Sequence, residues 1–271
     1  MLLCIDIGNT NITLGLYENH QLGPRWRLAT THERMPDEFG IQLLGLLGHK
    51  KLSPDYVDCA IIASVVPQLT ERWVQVCQIY LGCTPMIVDS NTYTGVQILI
   101  DNPHSVGADR IVDAAAAHNL YEGPACIVDF GTATTFDAIS AEGNYLGGAI
   151  APGIGIAADA LAQRTAKLPR VDIAAPPNPI GRNTVHAMQS GLLYGYIGLV
   201  EGMVARFQTE LGPAMKIVAT GGLSELIAKH TTVIEIIAPW LTLDGLHMIY
   251  NLNLERKTRN YSRRSKYPSE T

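Results

Sequence analysis

A strand-like run that ends in Asp, then Gly, then small hydroxyl or amide residues, then a second β-rich run, occurs twice in this chain. The first copy is Asp6-Ile7-Gly8-Asn9-Thr10, continuing through Asn11, Ile12 and Thr13. The second, almost half a chain later, is Asp129-Phe130-Gly131-Thr132-Ala133-Thr134-Thr135. Gly permits a tight turn and lets backbone N–H groups approach a phosphate closely. Asn and Thr add neutral hydrogen bonds to phosphate oxygens. An Asp repels phosphate, so its presence makes sense only with a cation between the two; Mg²⁺ is held in this way by one or two carboxylates plus substrate phosphates. A lone copy reads equally well as a hairpin with turn-favouring residues. Two copies favour a pair of strand–turn–strand units that hold a nucleotide's phosphates from both sides of a cleft.

The rest of the pattern supports duplication. Period-two alternation and apolar runs predict strands over 2–5, 12–17 and 26–29, a helix over 38–49, a strand over 57–64, a helix over 67–81 and a strand over 85–88. After a helix over 110–120, strands follow over 125–129, 134–140 and 145–150, then helices over 156–162 and 185–211. A strand over 216–220, a short helix over 223–229, a strand over 233–237 and a helix over 244–253 complete the chain. Both halves read βββαβαβ, which makes the fold α/β with two similar lobes, over 1–115 and 116–254. Little sequence is shared between the halves, so the repeat is architectural.

With 271 residues, 47% of them hydrophobic and 17% charged, the chain can bury a substantial core. A net charge of −5 gives the body no electrostatic case for nucleic acid. The segment 255–271 differs: it gathers Arg256, Lys257, Arg259, Arg263, Arg264 and Lys266 without a hydrophobic pattern, and reads as a basic, disordered tail. Five cysteines without a CxxC pair suit a reducing, cytoplasmic setting. The first residues lack the basic start of a signal peptide, and no apolar stretch reaches the roughly 18 residues of a spanning helix. No membrane partner is expected.

The architecture and the paired turns resemble the actin, Hsp70 and sugar-kinase superfamily. Further motifs narrow this. Asp101-Asn102-Pro103 leads into Gly107-Ala108-Asp109-Arg110; the stretch Gly147-Gly148-Ala149-Ile150-Ala151-Pro152-Gly153 follows the second Asp turn, and Ala219-Thr220-Gly221-Gly222 comes last. In this order, over residues 1 to 254, they resemble type III pantothenate kinase. The resemblance implies transfer of phosphate from ATP to pantothenate, giving 4′-phosphopantothenate at the entry to coenzyme A synthesis. It places ATP on Asp6, Gly8, Asn9, Thr10, Asn11, Thr13 and Thr132, with Mg²⁺ near Asp6. Gly221 and Gly222 would line the adenine end, although they also read as an ordinary strand–turn–helix junction. Asp129 becomes the ligand of a monovalent cation, K⁺ or NH₄⁺; chemistry alone does not separate that from a second Mg²⁺.

The same resemblance assigns Gly107, Ala108, Asp109 and Arg110 to the acceptor, with Asp109 as the base. A kinase acting on an alcohol needs a carboxylate within reach of the hydroxyl. Arg is suited to the carboxylate that pantothenate carries. The alternative is a helix N-terminus, with Asp109 on the helix dipole and Arg110 in a surface ion pair. Ile100 stands where many family members carry a Tyr that lines the acceptor pocket. An apolar contact survives there and a hydroxyl donor is lost, which bears on affinity rather than on reaction class.

Asn183 or Thr184 reads as the cap of a long helix, and the resemblance adds that Thr184 touches the acceptor, from the partner subunit of a homodimer. Within that helix Gly191, Gly195, Gly198 and Gly202 form a smooth face. Gly is unfavourable in a helix interior, so the face has a packing purpose: intrachain packing, or the dimer seam that the resemblance favours. Two competing functions remain. One is a kinase of the same superfamily for another small alcohol; the other is a nucleotide-binding regulator without turnover. The presence of Asp6, Asp109 and Asp129 weighs against the latter.

Overall fold

The computed structural model describes residues 1–89 and 92–265, with side chains described as far as residue 258. The chain divides into two units, Met1–Val96 with Asn102–Ala116 and the residues from Thr242 onward, and Gln97–Asp101 with Ala117–Leu241.

In the first unit a five-stranded sheet is ordered β3-β2-β1-β4-β5, from β1 (Leu2–Ile7), β2 (Asn11–Glu18), β3 (Gln21–Ala29), β4 (Cys59–Ser64) and β5 (Met86–Ile87). β1 is antiparallel to β2 and parallel to β4. It is covered on both faces, which is why its sequence is a near-continuous apolar run rather than an alternation. The helices α1 (Pro36–His49) and α2 (Pro67–Tyr80) pack Phe39, Leu43, Leu47 and Trp73 onto it. Each such fully buried side chain contributes about 1.5–3 kcal/mol. Pro36 opens α1, and the Glu38 carboxylate accepts from the Met35 N–H at 2.7 Å, satisfying the free end of the helix.

The strand predicted over 26–29 begins earlier, at Gln21. Gly23-Pro24 reads as a breaker, yet β3 is an edge strand and carries a bulge there: Gly15 pairs with Arg25 and Tyr17 with Leu22. Edges and bulges are where a strand tolerates Pro. The two-residue turn Asn19-His20, with φ of 47° and 65°, closes the hairpin in the left-handed geometry that matches strand twist.

The second unit repeats the plan. Its sheet is β10-β9-β6-β7-β8, from β6 (Ala125–Phe130), β7 (Ala133–Ile139), β8 (Tyr145–Pro152), β9 (Lys216–Gly221) and β10 (Ile236–Ile237). β6 is antiparallel to β7 and parallel to β9, as β1 is to β2 and β4. The central strands LLCIDI and ACIVDF even share one burial pattern, with the Asp half-buried at the penultimate position. The helices are α4 (Ile154–Arg164), α5 (Thr184–Leu211) and α6 (Ser224–Ala228); α3 (Ala108–Leu120) precedes the repeat. The duplicated reading describes the fold, as βββαβαβ in the first half and βββααβαβ in the second, with a further helix following each.

The last helix corrects two expectations. α7 runs over Leu241–Ser265, so residues 255–265 are helical rather than a disordered tail; Lys266 lies outside the described residues. It also belongs with the first unit, where the sequence closes the second lobe at 254. Leu243 lies against Gly15, and the Tyr17 hydroxyl donates to Asp244 at 2.5 Å. The Asn253 amide donates to the Tyr93 carbonyl at 2.8 Å, and the Arg256 guanidinium sits 4.0 Å from the centre of the Tyr93 ring. Every one of these anchors is distant in sequence.

The His247 ring of α7 stacks on Tyr17 at 4.3 Å, and its Nε2 lies 3.2 Å from Nδ1 of His20. Burial, then the neighbouring His20, pushes the His247 pKa down. A depressed pKa gives stability that is present above the ordinary value of about 6.5 and lost as pH falls through it. Burial pushes Asp244 the other way, against the opposing Tyr17 hydrogen bond, and its protonation acts at lower pH. The melting temperature should therefore fall between about pH 7.5 and about pH 5.5. His247→Gln should flatten that fall; an unchanged slope would remove His247 from the pH response.

All five cysteines are free of disulfides. Among the described residues no helix is long and apolar enough to cross a membrane.

Candidate active site

In the first unit the site is built at the ends of two parallel strands. β1 delivers Asp6, half-buried, paired with Thr13 on β2 and with Ala63 on β4. The chain then turns tightly: the Gly8 N–H donates to the Asn11 carbonyl at 3.0 Å, leaving Asn9, Thr10 and Asn11 exposed. Thr30, which no local motif marks, braces this turn from the end of β3. Its hydroxyl donates to the Gly8 carbonyl at 2.7 Å and its N–H to the Thr10 carbonyl at 2.9 Å.

Val65, just past β4, links the turn to the segment around Gly107. Its N–H donates to the Ile7 carbonyl at 3.0 Å, and its Cγ1 lies 3.3 Å from where a Gly107 Cβ would sit. That Cβ would also overlap the Asp109 carboxylate, so only Gly lets Asp109 lie back over this backbone. Asp109 falls in the first turn of α3 after Ala108, and its Oδ1 accepts from the Arg110 N–H at 2.8 Å. The first unit thus gathers Asp6, Gly8, Asn9, Thr10, Asn11 and Thr13 with Gly107, Ala108, Asp109 and Arg110 around the same strand ends. Asp109 also occupies the favourable end of the helix dipole.

In the second unit Asp129 takes the equivalent place on β6, paired with Thr135 on β7 and Thr220 on β9. Two glycines crowd its carboxylate. A Cβ on Gly131 would lie 3.0 Å from Oδ2, and one on Gly221 would overlap Oδ1. Gly221 has φ +87°, a conformation that side-chain-bearing residues rarely adopt. Ser224, another residue without a local signal, fixes this turn by donating to the Gly221 carbonyl at 2.8 Å, while Gly222 is exposed. The Gly131-Thr132 turn closes through the Gly131 N–H to Ala133 carbonyl bond at 3.0 Å, with Thr132 exposed at its tip.

Ile100 is half-buried, and its Cγ2 lies 3.5 Å from where a Gly147 Cβ would be. Thr184 is the first residue of α5. Asn183 is the cap, accepting from the His186 N–H at 2.8 Å. Thr184 opens on a groove of about 1050 Å³ with Leu161, Arg164, Arg182 and Met188, whose lining includes neither Asp129 nor Ile100. On α5, a Cβ at Gly191, Gly195 or Gly198 would meet nothing within 4 Å, so intrachain packing among the described residues does not explain the stripe.

Among the described residues no three His, Cys, Asp or Glu side chains converge as a ready-made metal cage. The donor set fits a cation that one carboxylate shares with a ligand's phosphates, as Mg²⁺ is bound. At Asp129 the carboxylate packs against the backbone of Gly131 and Gly221, where a Cβ would crowd it.

Comparison with known proteins agrees with this plan. Among solved structures, the chain superposes with a TM-score of 0.56 at 21% identity on a conserved Baf family transcriptional activator from Campylobacter jejuni, over 93% of this chain and 99% of that one. A 2-dehydro-3-deoxygalactonokinase from Sinorhizobium meliloti gives a TM-score of 0.54 at 14% identity, over 100% and 98%. These likenesses show the fold alone, a two-part α/β architecture. The type III pantothenate kinase profile matches residues 2–206. A type III pantothenate kinase from Moorella thermoacetica is 50% identical over 253 residues, 93% of this chain and 100% of that protein. One from Myxococcus xanthus is 49% identical over 93% of this chain and 99% of its own length. The chain belongs to the type III pantothenate kinase family.

Proposed function

We propose that the protein phosphorylates pantothenate with ATP, giving 4′-phosphopantothenate and ADP, the first step towards coenzyme A. The observation that carries this reading is the Asp109 carboxylate folded over Gly107 at the start of α3, in a chain of this family. In the reaction Asp109 accepts the proton of the primary hydroxyl as its oxygen bonds to the γ-phosphorus. The bond from that phosphorus to the β,γ-bridging oxygen breaks, and ADP leaves. Arg110 pairs with the pantothenate carboxylate, and Ile100 gives the acceptor an apolar wall.

The phosphates of ATP take the Gly8–Asn11 turn with Thr13. Mg²⁺ held by Asp6 together with phosphate oxygens would offset their charge. A monovalent cation, K⁺ or NH₄⁺, is assigned to Asp129. The open glycine face of α5 is the seam of a homodimer, with Thr184 reaching the acceptor across it. Five free thiols suit a cytoplasmic protein.

Pantothenate-dependent release of ADP, compared in K⁺ and in Na⁺, tests this. A rate that collapses in Na⁺ supports both the reaction and the cation. Equal rates would remove the cation role from Asp129. Nucleotide binding without turnover in either salt would point instead to a regulator.

A further inference from the structure

The second unit contains a buried carboxylate for which the reaction has no use. Asp137, on β7, is 1% exposed. Its Oδ1 accepts from the Tyr145 hydroxyl at 2.8 Å and its Oδ2 from the Thr135 hydroxyl at 3.2 Å. Burying a carboxylate is costly even when it is hydrogen-bonded, so a group retained there calls for an explanation. The nearby Cys126 thiol is no counter-ion: burial first, and Asp137 second, push its pKa up to about 12.

The explanation lies in what Tyr145 holds. This residue, also 1% exposed, opens β8 and pairs on one side with Ile139 of β7. Its other side carries the Gln97–Asp101 segment. The Tyr145 N–H donates to the Gln97 carbonyl and the Leu99 N–H donates to the Tyr145 carbonyl, each at 2.8 Å, in a parallel bridge centred on Ile98. These two backbone hydrogen bonds anchor the segment to β8 at Gln97 and Leu99. One residue further on, Ile100 rests over Gly147, two positions along β8 from Tyr145. A continuous path therefore runs from the Asp137 carboxylate through the Tyr145 side chain and backbone to Ile100.

We propose that Asp137 and Tyr145 are positioning residues that set the acceptor pocket by clamping the segment bearing Ile100. This rests on the assignment of Ile100 to the pantothenate pocket. With Ile in place of a hydroxyl-bearing residue, the wall of the pocket works by shape alone, so its placement decides affinity. The clamp lies within the second unit, on β7 and β8. Its loss should act on the acceptor and spare ATP.

Tyr145→Phe keeps the ring and removes only the hydroxyl. It should raise KM for pantothenate on the order of tenfold, because small misplacements of a positioned group are expensive. KM for ATP and kcat should stay within about twofold. Asp137→Asn, which keeps an acceptor for the hydroxyl, should show a smaller change of the same kind. It also serves as the second variant if Tyr145→Phe folds poorly. In a cycle with Ile100→Ala, the effects on pantothenate KM should be less than additive, since both act through one segment. Deuterium exchange at the Leu99 amide should quicken in Tyr145→Phe, a readout independent of any substrate. Unchanged exchange, or a loss shared equally by ATP and pantothenate, would overturn the clamp. Faster exchange in a protein whose wild type does not turn over pantothenate would overturn the kinase reading, and with it the acceptor role, but not the anchoring.

Discussion

Asp109→Asn should lower phosphoryl transfer to pantothenate by about 10²- to 10⁴-fold, the range over which a positioned acid or base acts. The substitution is close to isosteric. Asn retains an Oδ1 acceptor for the Arg110 N–H now bonded at 2.8 Å, and it still fits over Gly107. α3 should keep its first turn, losing only the charge that favours its N-terminus, worth about 0.3–1 kcal/mol at an exposed end. ATP affinity should be unchanged, because the Gly8–Asn11 turn is fixed by Thr30 and Val65 rather than by Asp109. Steady-state kinetics with a separate nucleotide-binding measurement reads both. Wild-type turnover in the variant would show that Asp109 only caps a helix.

Gly221→Ala should be strongly damaging to the second unit. The added Cβ would lie 2.7 Å from the Phe130 N and carbonyl C, and closer still to the Asp129 carboxylate. The φ of +87° adds a backbone penalty of about 1–2 kcal/mol, and relieving the overlap adds about 1–3 kcal/mol. The midpoint of thermal unfolding should drop on the order of 10 °C. The activation by K⁺ proposed for Asp129 should weaken as its carboxylate is displaced. Gly45→Ala makes the same chemical change inside α1, with nothing within 4 Å, and should stabilise the chain by about 1 kcal/mol. Equal melting temperatures for Gly221→Ala and the parent would mean that the crowding around Asp129 is not tight.

What could be read from the chain was what local chemistry dictates. Apolar runs ending in Asp6 and Asp129 mark the two central strands, because a strand covered on both faces must be apolar until it reaches its functional end. Asn183 before a long apolar-periodic stretch marks a cap. What escaped was decided at long range. Thr30 acts on a turn on the far side of β2, and Asp137 matters only through a tyrosine on the next strand. The helical part of the basic end escaped for a related reason. Leu254, Glu255, Arg256 and Lys257 are good helix formers that lack apolar periodicity, and their register is held by Tyr93, far away in sequence. The glycine face of α5 could be seen as a face, while what it does not touch required coordinates.

The central claim is the identity of the acceptor, and mass spectrometry of the product tests it most directly. The protein, incubated with ATP, Mg²⁺, K⁺ and pantothenate, should yield 4′-phosphopantothenate, with none formed when any one component is omitted. A folded, ATP-binding protein that leaves pantothenate unmodified under these conditions would contradict the account.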